Sequence, residues 1–309
     1  MIPERVVHVI GAAGRSGAAL VRALPAAGFA VQPVVRDLAR WAAVAPPAQA
    51  MLSPPRMADL RDMRGMGDAL RDATCIVSTA HARTTPLLLA AAPAAARLVL
   101  LGSTRRFTRW PDAHGEGVRA GEAALLGSGR PGIMLHPTMI YGAEGEDNVQ
   151  RLAALLRRLP VVPLPGGGRA LVQPIHQDDV TRAVIAAIAL PPAAPRALVI
   201  AGPAPLSYAA FVRAVAAAAG LPAPRIVPVP LAALMALAPL TAALPLVPRI
   251  RIAEIRRLAE DKAFDIAAMS ATLGVRPVPL DAGLALTFRR DLPPLTRQGA
   301  RHADHQPHC

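Results

Sequence analysis

Short apolar runs alternate with amphipathic segments through the first half of the chain. The runs are rich in Val, Ile and Leu, as buried strands are, whereas the segments between them carry the Ala and Leu spacing of helices. Such alternation predicts an open parallel sheet with helices on both faces. The predicted strands are 6–10, 29–35, 50–52, 75–78, 98–101 and 132–136, and the predicted helices are 15–24, 61–71, 86–96 and 116–127.

The second half of the chain is less regular. Two further strands are predicted at 171–175 and 198–200, with a helix at about 178–190 between them. Residues 203–290 keep a helical periodicity that prolines interrupt, and Ser207 is a candidate N-cap for a helix at 208–219.

These patterns predict an α/β fold, a doubly wound parallel sheet (Rossmann fold) with a smaller C-terminal substrate lobe. We expect residues 1–142 and 170–202 to form the sheet domain, and residues 143–169 and 203–295 to form the lobe. The polar, unpatterned residues 296–309 predict a disordered tail.

The charge of the chain is basic, but its distribution does not indicate a nucleic-acid site. Lys and Arg outnumber Asp and Glu by 34 to 21, and the net charge is +13. The arginines are scattered, and only 3% of the residues are aromatic, so dense basic runs with interleaved aromatic residues are missing. We therefore expect small-molecule partners and no nucleic acid.

Cysteine usage and hydropathy bear on localisation. Cys75 and Cys309 form no disulfide framework, which fits a reducing compartment. The N-terminus runs into a strand without the apolar core of a signal peptide, so we expect a cytoplasmic protein. Prolines interrupt the most apolar stretch, 226–247, so we expect no integral membrane segment. Docking on a membrane surface through 226–252 is a minority alternative.

A glycine-rich loop lies between the first predicted strand and the first helix. It reads Gly11-Ala-Ala13-Gly14-Arg15-Ser16-Gly17. The first glycine permits a tight turn, the second lets backbone amides approach a pyrophosphate, and the third lets the helix pack on the strand. Free N–H groups at the helix N-terminus then favour the negative charge of the diphosphate. The loop predicts dinucleotide binding.

The end of the second predicted strand indicates which dinucleotide is bound. An acidic residue there suits the ribose hydroxyls of NAD, whereas an arginine accommodates the 2′-phosphate of NADP. Arg36 comes first and Arg15 lies on the same side, so we favour NADP(H) over NAD(H). Asp37 argues for NAD(H) if the strand register shifts by one residue.

Further motifs follow the other predicted strands. They are Asp59-Leu60, Ser78-Thr79-Ala80, Gly102-Ser103-Thr104, His136-Pro137-Thr138-Met139-Ile140-Tyr141-Gly142 and, before a helix, Pro174–Val180. Together with the glycine loop, they resemble the short-chain dehydrogenase/reductase superfamily in its extended and atypical branches of NAD(P)-dependent epimerase/dehydratase-like proteins. The resemblance covers about residues 5–292.

The resemblance implies roles for particular residues. Ser103 stands at the position of the family's catalytic Ser or Thr, and Thr104, His136 and Tyr141 are expected at the substrate pocket. The residues implied in cofactor binding are Gly11, Ala13, Gly14, Arg15, Ser16, Gly17, Arg36, Asp59, Leu60, Thr79, Ala80, Pro137, Thr138 and Met139.

The chain departs from the family at the Tyr-xxx-Lys pair of the helix after the fifth strand. His114 falls near the Tyr position, and Val118 or Arg119 falls near the Lys position. The only lysine, Lys262, lies far along the chain. His114 is a candidate proton donor because imidazole titrates near neutrality, although a solvated loop residue is the alternative. Ser103 or Thr104 with an ordered water is another candidate.

Two hypotheses for function follow. The first is an NADP(H)-dependent oxidoreductase or epimerase/dehydratase-like enzyme on a small carbonyl metabolite, without the Tyr-xxx-Lys dyad. The second is a non-catalytic NADP(H)-binding protein that senses redox state or supports complex assembly. A homodimer through the 116–127 helix is compatible with both. We expect no metal site, because His302, His305, His308 and Cys309 of the tail offer adventitious binding at most.

Overall fold

Parallel strands dominate the architecture of the computed structural model, which describes residues 6–142, 148–159, 161–237 and 252–289. The strands are β1 (Val6–Ile10), β2 (Ala30–Val35), β3 (Arg56–Met57), β4 (Cys75–Ser78), β5 (Arg97–Leu101), β6 (Gly132–Pro137), β7 (Ile140–Tyr141), β8 (Val161–Pro165), β9 (Leu171–Val172), β10 (Ile175–His176), β11 (Arg196–Ile200), β12 (Leu206–Ser207) and β13 (Arg225–Val229).

Helices connect these strands and cover both faces of the main sheet. They are α1 (Arg15–Ala23), α2 (Leu38–Ala42), α3 (Met63–Leu70), α4 (Thr85–Ala91), α5 (Ala113–Gly127), α6 (Asn148–Arg158), α7 (Gln177–Ala189), α8 (Tyr208–Ala218), α9 (Leu231–Leu237), α10 (Ile252–Leu258), α11 (Ala267–Leu273) and α12 (Leu280–Arg289). None of the helices in the described ranges is long and apolar enough to cross a membrane.

The main sheet has seven strands in the order β11-β6-β5-β4-β1-β2-β3, and all its pairs are parallel. The strand order reverses between β1 and β4. In open α/β sheets, ligands bind at such a switch point, outside the carboxyl ends of the strands. The predicted Rossmann fold is therefore confirmed, and its topology places the candidate site at the ends of β1 and β4.

Side chains of successive strand residues point to opposite faces and build two separate cores. Val99 of β5 packs in the core that contains α1 and α7, whereas Leu98 and Leu100 pack in the core that contains α3, α4 and α5. Both faces of the strands are apolar because helices cover both.

The smaller lobe contains short two-stranded sheets and helices. β8 pairs with β13, and β9 pairs with β12. α6, α8 and α12 pack around Tyr141, Phe211 and Leu284. α11 differs from the expected division of the chain: Met269 and Leu273 pack in the core with α7, against the main sheet. Residues 267–273 therefore belong by packing to the sheet domain rather than to the lobe. The rest of the division stays a prediction.

Prolines account for the local differences from the predicted elements. The third strand lies at Arg56–Met57 rather than 50–52. Leu52 forms only one isolated bridge, with Val31. Pro54 and Pro55 then interrupt the ladder, because proline has no amide donor. The strand predicted at 171–175 is divided into β9 and β10, with Pro174 between them.

Two helices also have different bounds from those predicted. The helix predicted at 86–96 ends at Ala91, and Ala92, which precedes Pro93, is extended. The helix predicted at 116–127 begins at Ala113, because Asp112 accepts a hydrogen bond from the Gly115 amide and caps it. The predicted tail, and the greater part of the segment considered for membrane docking, lie outside the described residues.

Candidate active site

A cleft of about 680 Å³ opens where β1, β2 and β4 end. It is lined by the glycine loop, the residues after β2, the turn before α3 and the residues after β4. Among the predicted cofactor-binding residues, it contains Gly11, Ala13, Gly14, Arg36, Asp59, Leu60, Thr79 and Ala80.

Steric constraints explain the first and third glycines of the loop. Gly11 has a φ of 78°, in the left-handed region, and its amide is bonded to the Val34 carbonyl. A Cβ on Gly17 would lie 2.1 Å from the Gly11 carbonyl oxygen, so a larger residue would separate α1 from the loop. Thr79 fixes the same turn, because its hydroxyl donates to the carbonyls of Ile10 and Gly11 at 3.2 Å.

The N-terminus of α1 is suited to an anion. Gly14 is its N-cap and supplies no side-chain cap, and the first turn contains no acidic residue. No side chain caps this turn, and the helix dipole favours an anion such as a diphosphate there. Arg15, at the first position of the helix, is exposed. These features fit the dinucleotide that the loop predicts.

The geometry after β2 separates the roles of Arg36 and Asp37. β2 ends at Val35, so Arg36 is the first residue beyond the strand. The Asp37 side chain accepts a hydrogen bond from the Arg40 amide at 3.0 Å and caps α2. Asp37 thus has a local structural role as well as an exposed position in the cleft lining, where it lies next to the exposed Arg36.

Four arginines are among the residues that line this cleft: Arg36, Arg40, Arg61 and Arg83. Within the described part of the chain, none of them forms a salt bridge. The carboxylate of Asp59, which also lines the cleft, accepts a hydrogen bond from the Arg61 amide. Unpaired guanidinium groups around a cleft favour a ligand with a phosphate dianion.

Three predicted cofactor residues have structural roles, two of them in the glycine loop and one at the end of β6. The Ser16 hydroxyl donates to Gln177 Oε1 at 2.8 Å and joins the loop to α7. Gly17 is buried under the loop. Pro137 ends β6 and is buried.

A second cleft, of about 580 Å³, lies between the carboxyl end of the sheet and the smaller lobe. The sheet contributes Ser103, Thr104, Thr138 and Met139, which the sequence associates with cofactor or substrate. The lobe contributes apolar side chains such as Leu152, Leu155 and Leu258, and also Arg151, Tyr208, Glu254, Arg257, Glu260 and Lys262. Since β4 and β5 are neighbours in the sheet, this cleft begins beside the first one.

Ser103 and Thr104 follow β5 after Gly102 and are half-buried in the lining of the second cleft. The Ser103 hydroxyl oxygen accepts a bond from the Arg105 amide at 3.2 Å, and the Thr104 hydroxyl donates to the Pro137 carbonyl at 3.2 Å. Both hydroxyls are therefore held in fixed positions.

His136, predicted at the substrate pocket, is instead buried behind Ser103. Its Nδ1 accepts a hydrogen bond from the Ser103 amide at 3.1 Å, so the neutral ring carries its proton on Nε2. Nε2 lies 2.8 Å from Oε2 of Glu122, and the same oxygen lies 2.6 Å from Nε of Arg106. Burial, and then Arg106, lower the pKa of His136 to about 4. The ring thus supports the backbone of Ser103.

His114 lies in the first turn of α5, not in a solvated loop. Its ring packs edge-to-face on His81, with centroids 4.2 Å apart. Burial, followed by the nearby Arg105 and His81, lowers the pKa of His114 to about 4. Imidazole is therefore neutral here at pH 7, which removes the titration near neutrality that made His114 a candidate acid. Val118, near the Lys position, is fully buried.

Tyr141 is buried in the core of the lobe and is not in the lining of the second cleft. Its ring packs edge-to-face on His176, with centroids 5.2 Å apart. A Cβ on Gly283 would lie 2.2 Å from its hydroxyl oxygen, so the phenol is closely packed against α12. Burial raises the pKa of this phenol.

Sequence reasoning missed Glu122 and Lys262. Glu122 occupies an inward position of α5 between Gly121 and Leu125, and an acidic residue on an apolar helix face was the available signal. Lys262 was set aside because of its distance along the chain, yet it lines the second cleft with Ser103. Its signal was that it is the only lysine. Across the described ranges, no group of His, Cys, Asp and Glu is arranged to hold a metal ion.

Solved structures with the same fold include several nucleotide-dependent enzymes. An NADPH-dependent quinone oxidoreductase, QOR2 from Escherichia coli, in complex with NADPH, is 18% identical, with a TM-score of 0.71 over 91% of this chain and 99% of that one. MoeE5 with UDP-glucose and NAD is 21% identical, with a TM-score of 0.69 over 92% and 99%.

The UDP-glucuronic acid 4-epimerase from Bacillus cereus, with UDP-glucuronic acid and NAD, is 16% identical, with a TM-score of 0.69 over 92% of this chain and 98% of that one. No protein-family profile and no curated protein sequence matches the chain. These similarities show that almost the whole chain has the fold of NAD(P)-binding Rossmann proteins.

Proposed function

We propose that the chain is an NADP(H)-dependent oxidoreductase that acts on a small carbonyl compound. The observation that carries the proposal is the first cleft, which is lined both by the glycine loop and by four arginines without salt-bridge partners among the described residues. A dinucleotide with a 2′-phosphate matches both features. The second cleft then offers space for a substrate beside the nicotinamide end.

The cofactor would be held by elements that the structure already orders. The amides at the start of α1 suit the diphosphate, and Arg36 suits the 2′-phosphate. Asp59-Leu60 and Thr79-Ala80 line the remaining walls. When bound, the nicotinamide supplies hydride transfer; the protein supplies orientation, exclusion of water and a proton.

The second cleft suits a substrate with an apolar body and one polar group. The apolar part of its wall is formed by Leu152, Leu155 and Leu258. The hydroxyl groups of Ser103 and Thr104 lie at the end of the cleft nearest the sheet. The Thr104 hydroxyl already donates to the Pro137 carbonyl, so the Ser103 hydroxyl is the donor that would orient a carbonyl oxygen at the carboxyl end of β5. The fold neighbours include an enzyme described as an NADPH-dependent quinone oxidoreductase, which supports a carbonyl substrate.

A non-catalytic NADP(H)-binding role is the second candidate. The observation that favours it is the occupancy of the family's Tyr and Lys positions by His114, whose pKa is lowered to about 4, and by the buried Val118. A protein that senses redox state or supports assembly needs no acid or base at those positions. An epimerase or dehydratase reaction on a nucleotide sugar is less favoured, because that chemistry relies on the missing tyrosine.

Titration of the purified protein with NADPH and NADH, followed by nicotinamide fluorescence, tests the proposal. We expect saturable binding of NADPH that is tighter than that of NADH, and a higher melting temperature with NADPH. Oxidation of NADPH with aldehydes, ketones and quinones, followed by absorbance, then tests for an enzyme. Binding without turnover of any of these carbonyl classes would favour the non-catalytic role, and binding of neither nucleotide would contradict both.

A further inference from the structure

Lys262 is the only lysine of the chain, and its position is fixed from two sides. It lies between α10 and α11, where its amide donates to the Leu171 carbonyl at 2.9 Å. Oδ1 of the neighbouring Asp261 accepts a hydrogen bond from the Leu171 amide at 2.8 Å. The segment is thus bonded in both directions to β9, which lines the second cleft.

The side chain of Lys262 reaches the sheet end of that cleft. It lines the cleft together with Ser103 and Thr104, and it also lines a small adjoining cavity of about 30 Å³ with Thr104 and Arg105. Its Nζ donates to the Arg257 carbonyl at 3.4 Å. The amine therefore belongs to a residue that lines the same cleft as the two hydroxyls after β5.

Charged and titratable groups from several elements face this amine. Arg105 comes from the turn after β5 and Arg257 from α10; Glu260 and Asp261 are its chain neighbours, and Arg151, Tyr208 and Glu254 lie elsewhere on the same wall. The two adjacent carboxylates are engaged. The Glu260 carboxylate accepts hydrogen bonds from the Thr108 hydroxyl and the Arg109 amide, and the Asp261 carboxylate accepts one from the Leu171 amide.

Burial lowers the pKa of Lys262, and the positive charges of Arg257 and Arg105 lower it further, against the opposing effect of Glu260. A lower pKa makes the ammonium group a stronger acid near neutral pH. Tyr208, which also lines the cleft, changes in the unfavourable direction, because burial raises the pKa of its phenol.

We propose that Lys262 is the proton donor for carbonyl reduction in the second cleft and takes the place of the missing Tyr-xxx-Lys pair. The inference rests on the proposed function. The carbonyl carbon gains a hydride from the reduced nicotinamide, and the C=O π electrons move to oxygen. That oxygen takes a proton from the Lys262 ammonium group, which leaves an alcohol, a neutral amine and the oxidised nicotinamide. The Ser103 hydroxyl, which accepts from the Arg105 amide and keeps its own proton for donation, orients the carbonyl oxygen.

The single lysine allows a test that needs no turnover. The protein and a reference amine, N-acetyl-lysine methylamide, are labelled together with acetic anhydride over a pH series. Mass spectrometry then gives the labelled fraction of the peptide that contains Lys262. We expect the titration midpoint of Lys262 to lie below that of the reference amine. A midpoint equal to or above the reference would overturn the proposal.

Turnover of Lys262→Arg, Lys262→Met and Lys262→Ala provides the second test, on the carbonyl substrate that the wild-type protein reduces best. General acid catalysis contributes about 100-fold or more, so we expect kcat to fall by at least about that factor in all three, with unchanged NADPH binding. The alkaline limb of the wild-type pH profile should disappear in Lys262→Arg. Added ethylammonium should restore part of the kcat of Lys262→Ala.

The outcomes separate this inference from the proposed function. If Lys262→Arg keeps the wild-type kcat and pH profile while Lys262→Met raises only KM, the lysine is a charge that binds substrate, and the proton-donor role is wrong. The proposed function then stands. If the wild-type protein binds no NADPH, both are overturned.

Discussion

Nε2 of His136 lies 2.8 Å from Oε2 of Glu122, and both side chains are buried between α5 and the end of β6. On the other side of the ring, Nδ1 accepts a hydrogen bond from the Ser103 amide. A carboxylate in the helix is thus connected through one imidazole to the residue that begins the second cleft. Gly102 makes this possible, since a Cβ there would lie 2.3 Å from Nδ1 of His136.

Replacement of Glu122 tests the contribution of this contact to stability. Glu122→Leu keeps the approximate volume but leaves His136 and Arg106 without their buried carboxylate. We expect a loss of about 1–3 kcal/mol in the free energy of unfolding, measured with urea. Glu122→Gln keeps an oxygen for the Nε2 proton, so its loss should be smaller. If the Leu variant is as stable as the wild type, the contact contributes nothing to the fold.

The pH dependence of stability should report on His136. Its pKa is lowered by burial to about 4 in the folded protein, whereas in the unfolded chain it has the ordinary value of 6.5. Between these values, the unfolded chain binds more protons, so stability must fall as the pH falls from 6.5 toward 4. Between pH 6.5 and 5, this group accounts for up to about 2 kcal/mol.

His136→Gln isolates this effect. Urea unfolding at pH 7 and pH 5 should show a smaller loss on acidification in the variant than in the wild type. Burial raises the pKa of Glu122, so the folded protein binds this proton more tightly than the unfolded chain does. The contribution of Glu122 to stability therefore falls as the pH rises, opposite to the effect of His136. Glu122 is present in both proteins, and the difference between them reports on the histidine. Identical pH dependence would contradict the lowered pKa of His136.

Arg36→Ala tests the assignment of cofactor preference. Loss of one charge-assisted phosphate contact should weaken NADPH by roughly 10- to 100-fold. NADH lacks the 2′-phosphate and should be affected much less. Arg64→Ala is a matched control, because Arg64 is an exposed arginine of α3 that is not in the lining of the cleft. Fluorescence titrations give both affinities, and equal losses for the two nucleotides would show that Arg36 does not contact the phosphate.

The sequence predicted the parts of the site that depend on local order along the chain. The glycine loop, Arg36 and Ser103 each lie within two residues of the end of a strand, so strand prediction places them at the carboxyl end of the sheet. His136 is the last residue of a predicted strand, but the pattern did not show that its ring is buried. That depends on the contact with Glu122 of α5, which no local pattern specifies.

Residues from the smaller lobe were harder to place. Lys262 reaches the second cleft only because the segment after α10 pairs with β9, a contact between distant parts of the chain. The prolines that interrupt the lobe also reduce the information in its periodicity. Composition provided the remaining signal, since Lys262 is the single lysine in a chain with 33 arginines.

Gly17→Ala tests how strictly the glycine loop is constrained. The added Cβ would lie 2.1 Å from the Gly11 carbonyl oxygen and 2.9 Å from the Thr79 hydroxyl, so α1 must move away from the loop. We expect a loss of about 1–3 kcal/mol in the free energy of unfolding, together with loss of NADPH binding, since the helix N-terminus is displaced. Gly127→Ala is the control. It is the last residue of α5, it has no atom within 4 Å of its added Cβ, and alanine is favoured in helices, so stability should be unchanged or slightly higher. Equal NADPH affinity in Gly17→Ala and the wild type would mean that the diphosphate does not bind at the start of α1.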